Sequence, residues 1–365
     1  MPRLMQRLDR YVLRNFLRHW LIVALSFVSM FSVLDLLGKA DELSEASNKF
    51  GSIGGDVALF YLYNLPYLLQ QFAPYITLLA ALATVLSMRR QLEWTPMLVA
   101  GRSTMRAFLP MFLAALALGF GMLLMRELIY PKIQTQRSQL QSKIFDQHQW
   151  QPKEVWLRGD FDQRMFVRKF RLPQPGFDAH APVARGVELF TLGPEGEDRY
   201  YKADRALWDG DVWQLTKGTL VISDAQAAEQ TVTTLSEPGL APADIERAWR
   251  GQNAPLELTL ADARQLLARD PGHRQAATLI WGIQVGPLVH LILLLLGLPY
   301  VLSFERRTSM EGVAMGMLFC AIFFVVNFLF QDFGHRGHLS PWMAGWAPLL
   351  LFGGFSLRAQ ERFAT

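Results

Sequence analysis

One polar stretch, residues 127–277, divides the chain, and three strongly hydrophobic runs lie on each side of it. The runs before it cover residues 20–38, 58–88 and 108–125; those after it cover 279–304, 313–330 and 343–357. Each is near or above the roughly 17–25 residues that a helix needs to cross a hydrocarbon core, and the shorter ones are extended by uncharged neighbours. The pattern predicts an α-helical polytopic membrane protein with an inserted domain. Its parts are a three-span block over residues 1–126, an extramembrane domain over 127–277 and a second three-span block over 278–365. A hydrophobic content of 51% agrees with that class. The single cysteine, Cys320, lies in an apolar run, so the chain has no intramolecular disulfide and no thiolate metal cluster.

A net charge of +4 raises the question of a nucleic-acid partner, but Lys and Arg gather at the ends of the apolar runs. Arg7, Arg10, Arg14 and Arg18 are spaced to share one face of a helix at the cytoplasmic surface. The run that follows is too long for the core of a cleaved signal, and residues 35–42 do not form a small-residue cleavage site. Arg89, Arg90, Arg102 and Arg106 occupy the second connection, Arg306 and Arg307 follow the fourth run, and Arg358 and Arg362 follow the sixth. With the N-terminus inside, every short arginine-rich connection is also inside. The large domain then falls outside, and six crossings return the C-terminus to the cytoplasm.

The second run would be about 46 Å long as a helix, against roughly 30 Å of hydrocarbon. Pro66 and Pro74 offer places for it to bend or tilt. Gly282 with Gly286, and Gly312 with Gly316, are spaced for close helix approach.

The polar stretch reads as mostly β. Strand-like alternation occurs over residues 154–158, 164–172, 186–192, 200–208 and 212–215, with further strands at 219–223 and 231–235. Asp209-Gly210 supplies the expected two-residue turn. Such strands form an open sandwich or jelly-roll-like layer, and residues 241–270 return toward the membrane as solvent-facing helices or turns. Residues 174–184, rich in Pro and Gly, read as a variable loop.

No compact catalytic constellation is present in the sequence. Gly38-Lys39 lacks the preceding glycine of a phosphate-binding loop, and His335 and His338 have no obvious acidic or cysteine companion for a metal. Transport would then draw on an ion gradient or on a separate nucleotide-binding subunit.

Several segments, taken in order, carry a family resemblance. They are Leu8-Asp-Arg-Tyr11, Asp35-Leu-Leu-Gly-Lys-Ala40, Arg89-Arg-Gln-Leu-Glu93, Leu98-Val-Ala-Gly-Arg-Ser103, the β-rich insertion and Leu298-Pro-Tyr-Val-Leu-Ser303. Together they resemble the LptF/LptG family of lipopolysaccharide export permeases, and the opening and the Gly38-Lys-Ala40 stretch are closer to LptG. The resemblance implies a non-catalytic, multi-pass subunit of the bacterial inner membrane with a periplasmic jelly-roll-like domain. It implies four partners: a second LptF/LptG-family permease, a cytoplasmic ABC ATPase dimer, a bitopic periplasmic bridge protein and lipopolysaccharide. No cofactor is expected in this chain, and ATP and Mg belong to the ATPase. The competing class is an ion-driven secondary transporter or a non-transport membrane assembly module.

The resemblance also implies roles for single residues. Lys39 matches a basic residue at the outer mouth of the first span that meets the lipid's anionic groups, and Asp35, one turn earlier, is placed to pair with it. The second cytoplasmic connection would contact the ATPase. There Leu92, Met97 and Leu98 are expected to enter an apolar groove and Glu93 to make a directional charged contact, with Arg89, Arg90 and Arg102 part of the same contact; the competing reading is an interfacial loop held down by those three arginines. A short helix is expected to begin near Thr95 with Pro96 at its first position.

Overall fold

The computed structural model describes the chain except for residues 1, 94–95, 97–103, 146–151, 160–162, 172–180, 193–196, 223–228, 236–239, 304–308 and 362–365. It separates into two compact units. One comprises Met1–Arg137 with Thr278–Thr365, and the other is Ser138–Ala277.

The first unit is helical. It contains α1 (Pro2–Gly38), α2 (Ala40–Phe50), α3 (Gly54–Arg90), α4 (Thr104–Leu128) and the start of α5 (Tyr130–Ile144). Most of α8 (Arg274–Ser303), then α9 (Ser309–Arg336) and α10 (Pro341–Glu361), complete it. Among the described residues, five of these helices, α1, α3, α4, α8 and α9, are long and apolar enough to cross a membrane, and the protein is a multi-pass membrane protein. The sixth expected run is helical within α10, but Gly345, Gly353, Gly354, Pro348 and two tryptophans dilute its apolar character, and it is not among the five.

The arginine-bearing N-terminal segment and the first span are one continuous helix. Arg7, Arg10, Arg14 and Arg18 are exposed along it while Val12 and Phe16 are fully buried. α3 likewise runs unbroken through Pro66 and Pro74 for 37 residues, about 55 Å at 1.5 Å per residue. It lies at the centre of the unit, where Leu78, Leu82, Val85 and Met88 pack with Phe108 and Met111 of α4, Leu293 and Leu294 of α8, and Phe323 of α9. α1 and α9 leave broad apolar faces uncovered, including Leu21, Leu25 and Leu34 on one and Phe324, Phe328 and Leu329 on the other. Surfaces of that kind suit hydrocarbon rather than water.

Small residues set the tightest helix contacts, including Gly316 of one expected pair but neither member of the other. Gly286 has open space where a side chain would begin, and Gly282 has only the amide of Gln331 at 3.6 Å. Close approaches occur at Gly119, where an added Cβ would sit 2.7 Å from Pro287 Cα, at Gly334, where it would sit 2.5 Å from Ala344 Cβ, and at Gly297, Gly316 and Gly345, against Leu78, Leu82 and Trp281. Spacing of four marks one helix face but does not say which helix lies opposite it.

The second unit holds a six-stranded antiparallel meander: β1 (Lys153–Arg158), β2 (Arg164–Arg171), β3 (Val183–Leu192), β4 (Asp198–Trp208), β5 (Trp213–Ile222) and β6 (Glu229–Leu235). Each strand pairs only with its sequence neighbours. The β4–β5 turn closes with the Asp209 N–H donating to the Val212 carbonyl at 3.0 Å, so its central residues are Gly210-Asp211, one position later than the sequence indicated. Gly210, at φ 105°, provides the positive angle. The two strand segments expected at 212–215 and 219–223 are one strand, carried past an irregularity at Lys217-Gly218. A Cβ at Gly218 would lie 2.2 Å from the Val232 carbonyl, so the bulge requires glycine there.

One sheet face is covered by α6 (Pro242–Asn253), whose Ile245 and Ala248 join Val155, Val167, Phe170 and Leu189 in the core. Trp213, buried, donates from Nε1 to the Leu240 carbonyl at 2.7 Å and pins the returning chain to the sheet. α7 (Leu260–Arg269) follows, and Thr259 caps it by accepting from the Asp262 N–H at 3.0 Å. The segment is less solvent-facing than its charges implied. Asp244 accepts from both Arg247 and Arg269 at 2.7 Å, and Arg247 also donates to Asp262 at 2.9 Å, with Asp244 only 8% exposed.

Candidate functional site

The expected site residues fall into two places within the helical unit. At the end of α1, the Lys39 N–H donates back to the Asp35 carbonyl at 3.1 Å, and the chain turns directly into α2. Asp41 and Glu42 lie in the first turn of α2, where the helix dipole favours them. The Lys39 ammonium donates to Asp35 Oδ2 at 3.0 Å, and the Tyr61 hydroxyl of α3 donates to the same oxygen at 2.9 Å. About a third of the Lys39 side chain, 34%, remains exposed. The ammonium is therefore oriented by Asp35 but accessible.

One turn along α3 from Tyr61, Asn64 accepts from Arg137 Nε at 3.1 Å, and the Arg137 guanidinium stacks 4.2 Å from the centre of the Tyr67 ring. Residues three apart share a helix face. Tyr61, which binds the partner of Lys39, and Asn64, which binds Arg137, thus share one face of α3 although Lys39 and Arg137 are far apart in sequence. Sequence reasoning missed Arg137, because no motif links it to Lys39. The one signal was its place in the polar helix just after the third span, a helix that also carries Lys132 and Lys143 and no carboxylate.

The second place is the end of α3. Arg89 and Arg90 lie in its last turn, where positive charge complements the helix dipole. An Arg89 Nη1–H donates to the Val301 carbonyl of α8. The Leu92 N–H donates to the Arg89 carbonyl at 3.1 Å and the Glu93 N–H to the Met88 carbonyl at 3.0 Å, the double closure of a Schellman cap. Its left-handed position is Leu92, at φ 57°, where glycine is usual. Leu92 is 75% exposed. A bulky side chain therefore projects from a strained backbone position at the exit of the helix. Glu93 is held from α1, since the Tyr11 hydroxyl lies 2.8 Å from both Oε1 and Oε2.

The structure thus places Arg89, Arg90, Leu92 and Glu93 together at one helix end. Met97, Leu98 and Arg102 lie outside the described residues, and of the short helix expected from Thr95 only Pro96 is described, in helical conformation. Among the described residues, no group of three or more His, Cys, Asp or Glu is placed to hold a metal ion.

The family model of the lipopolysaccharide export system permease LptF/LptG matches residues 10–360. A comparison with curated proteins finds no match.

Proposed function

Since the chain belongs to the LptF/LptG family of permeases and so acts in membrane lipid transport, we propose that it is the LptG-type subunit of an ATP-driven lipopolysaccharide export complex. The observation that carries this reading is the family match, which runs through both helical blocks and the inserted β domain. The Leu8-Asp-Arg-Tyr11 opening and the Gly38-Lys-Ala40 stretch support the LptG type.

In this reading the protein sits in the bacterial inner membrane with both termini cytoplasmic and the β domain periplasmic. It pairs with a second LptF/LptG-family permease, a cytoplasmic ABC ATPase dimer supplies ATP and Mg chemistry, and a bitopic bridge protein receives the lipid. Lys39 meets the lipid's anionic groups as a point charge, with Asp35 and Tyr61 setting where the ammonium points. Arg89, Arg90, Leu92, Glu93, Met97, Leu98 and Arg102 form the contact with the ATPase. Exposed Leu92 and the oriented Glu93 carboxylate support that assignment, as an apolar knob beside a fixed charge.

Purification of the chain from its native membrane, with identification of the proteins that accompany it, tests the proposal. A stoichiometric ATPase and a second permease of the same family are expected. A lone chain whose flux follows an ion gradient would refute it.

A further inference from the structure

We propose that Tyr11 is the positioning residue for Glu93, presetting its carboxylate for a cationic group on the ATPase. This rests on the coupling role given above to residues 89–103.

Tyr11 and Glu93 are 82 residues apart, yet the phenol oxygen is equidistant, at 2.8 Å, from the two carboxylate oxygens. A phenol has one proton to give, so equal distances centre the hydroxyl between the oxygens and fix the plane in which the carboxylate lies. The donor is neutral and leaves the negative charge available. A carboxylate offers about four acceptor positions, so the outward ones stay open to a guanidinium or ammonium.

Both ends of this contact are anchored. Val12 and Phe16, next to Tyr11 on α1, are fully buried in the helical core. The Glu93 backbone is tied to Met88 by the Schellman closure, and Arg89 ties the same turn to α8. Glu93 is therefore held from the first and second spans, with the fourth span bound one turn away. A partner that pulls on the carboxylate pulls on α1 and α3 together. Immobilising the carboxylate before the partner arrives removes an ordering cost from association.

The test uses the full chain purified with its second permease subunit, titrated with the ATPase dimer, as wild type, Y11F, E93A and Y11F/E93A. Y11F keeps the ring and its packing and removes only the donor, and size-exclusion elution of each permease pair checks that it is folded. Y11F should weaken ATPase binding by about fivefold, the scale of one partly exposed charge-assisted hydrogen bond. In the E93A background the same change should have no further effect, because Tyr11 then has nothing to position. Equal losses from Y11F in both backgrounds, or wild-type affinity in Y11F while E93A binds weakly, would overturn the role of Tyr11 alone. Wild-type affinity in E93A would overturn the coupling role of Glu93 and this inference with it.

Discussion

Asp244 is the residue whose loss should most disturb the β domain. One carboxylate oxygen accepts from Arg247 and Arg269, each at 2.7 Å, and the other accepts the Ala241 N–H at 3.1 Å, at 8% exposure. In D244N the side chain keeps its size but loses its charge, and its new N–H₂ opposes either the two guanidiniums or the Ala241 N–H. Breaking one partner of a buried ion pair costs about 3–5 kcal/mol. The two arginine side chains remain 17% and 26% exposed, so water recovers part of the loss. Arg247 also keeps Asp262. A cost of about 3 kcal/mol follows, at the lower end of that range. Hydrogen–deuterium exchange of the full-length protein reads it locally, as roughly a hundredfold faster exchange across Pro242–Asn253 and Leu260–Arg269. D204N, which removes the exposed Lys217–Asp204 pair, should leave exchange unchanged. Exchange in D244N within about threefold of wild type would exclude Asp244 as a buried ion-pair centre, since about 0.6 kcal/mol is too little for one.

Burial is the largest influence on the Asp262 carboxyl and pushes its pKa up, but hydrogen bonds from Arg247 and Thr259 outweigh it and hold the group below the usual carboxylate range. Its stabilising contribution is therefore complete above the unfolded value of about 3.9 and is lost as pH falls through the lower native value. Acid unfolding of the β domain, followed from pH 6 to 2, should lose part of its acid limb in D262N; an unaltered limb would contradict this. G119A should destabilise the helical unit by about 1–3 kcal/mol, because the new methyl meets Pro287 backbone rather than a side chain that can move. G121A, with open space around it, serves as the control, and equal thermal inactivation of the two variants in detergent would be the adverse result. L92G should relieve about 1 kcal/mol of left-handed strain. If Leu92 contacts the ATPase, the same change should make the permease harder to inactivate by heat but weaker in binding its partner, and unchanged binding would remove Leu92 from the contact.

The long apolar runs were legible because a span must satisfy its backbone within itself, which leaves a mark in every residue of the segment. Strands were legible for a similar local reason, as in the alternating burial of Val155 and Leu157 on β1. The Gly210 turn was found one residue early because Asp-Gly fixes the need for a positive angle but not which carbonyl closes the turn. What escaped was set by partners distant in sequence. Arg269 reaches Asp244, Arg137 reaches Asn64 and Tyr11 reaches Glu93, and in each case the residue alone reads as a solvated polar group. The bulge at Lys217-Gly218 escaped for the opposite reason, since its residues signal a chain break that cross-strand pairing with β6 overrides.

In the proposed function, ATP hydrolysis by a partner moves lipopolysaccharide through this permease. The most direct measurement places the purified complex in liposomes containing lipopolysaccharide and follows lipid captured by the bridge protein, with and without ATP. Capture is expected to require ATP, to survive dissipation of ion gradients and to fall sharply in K39D while assembly and ATP hydrolysis persist. Capture that proceeds without ATP and stops when an ion gradient is removed would contradict the proposed function.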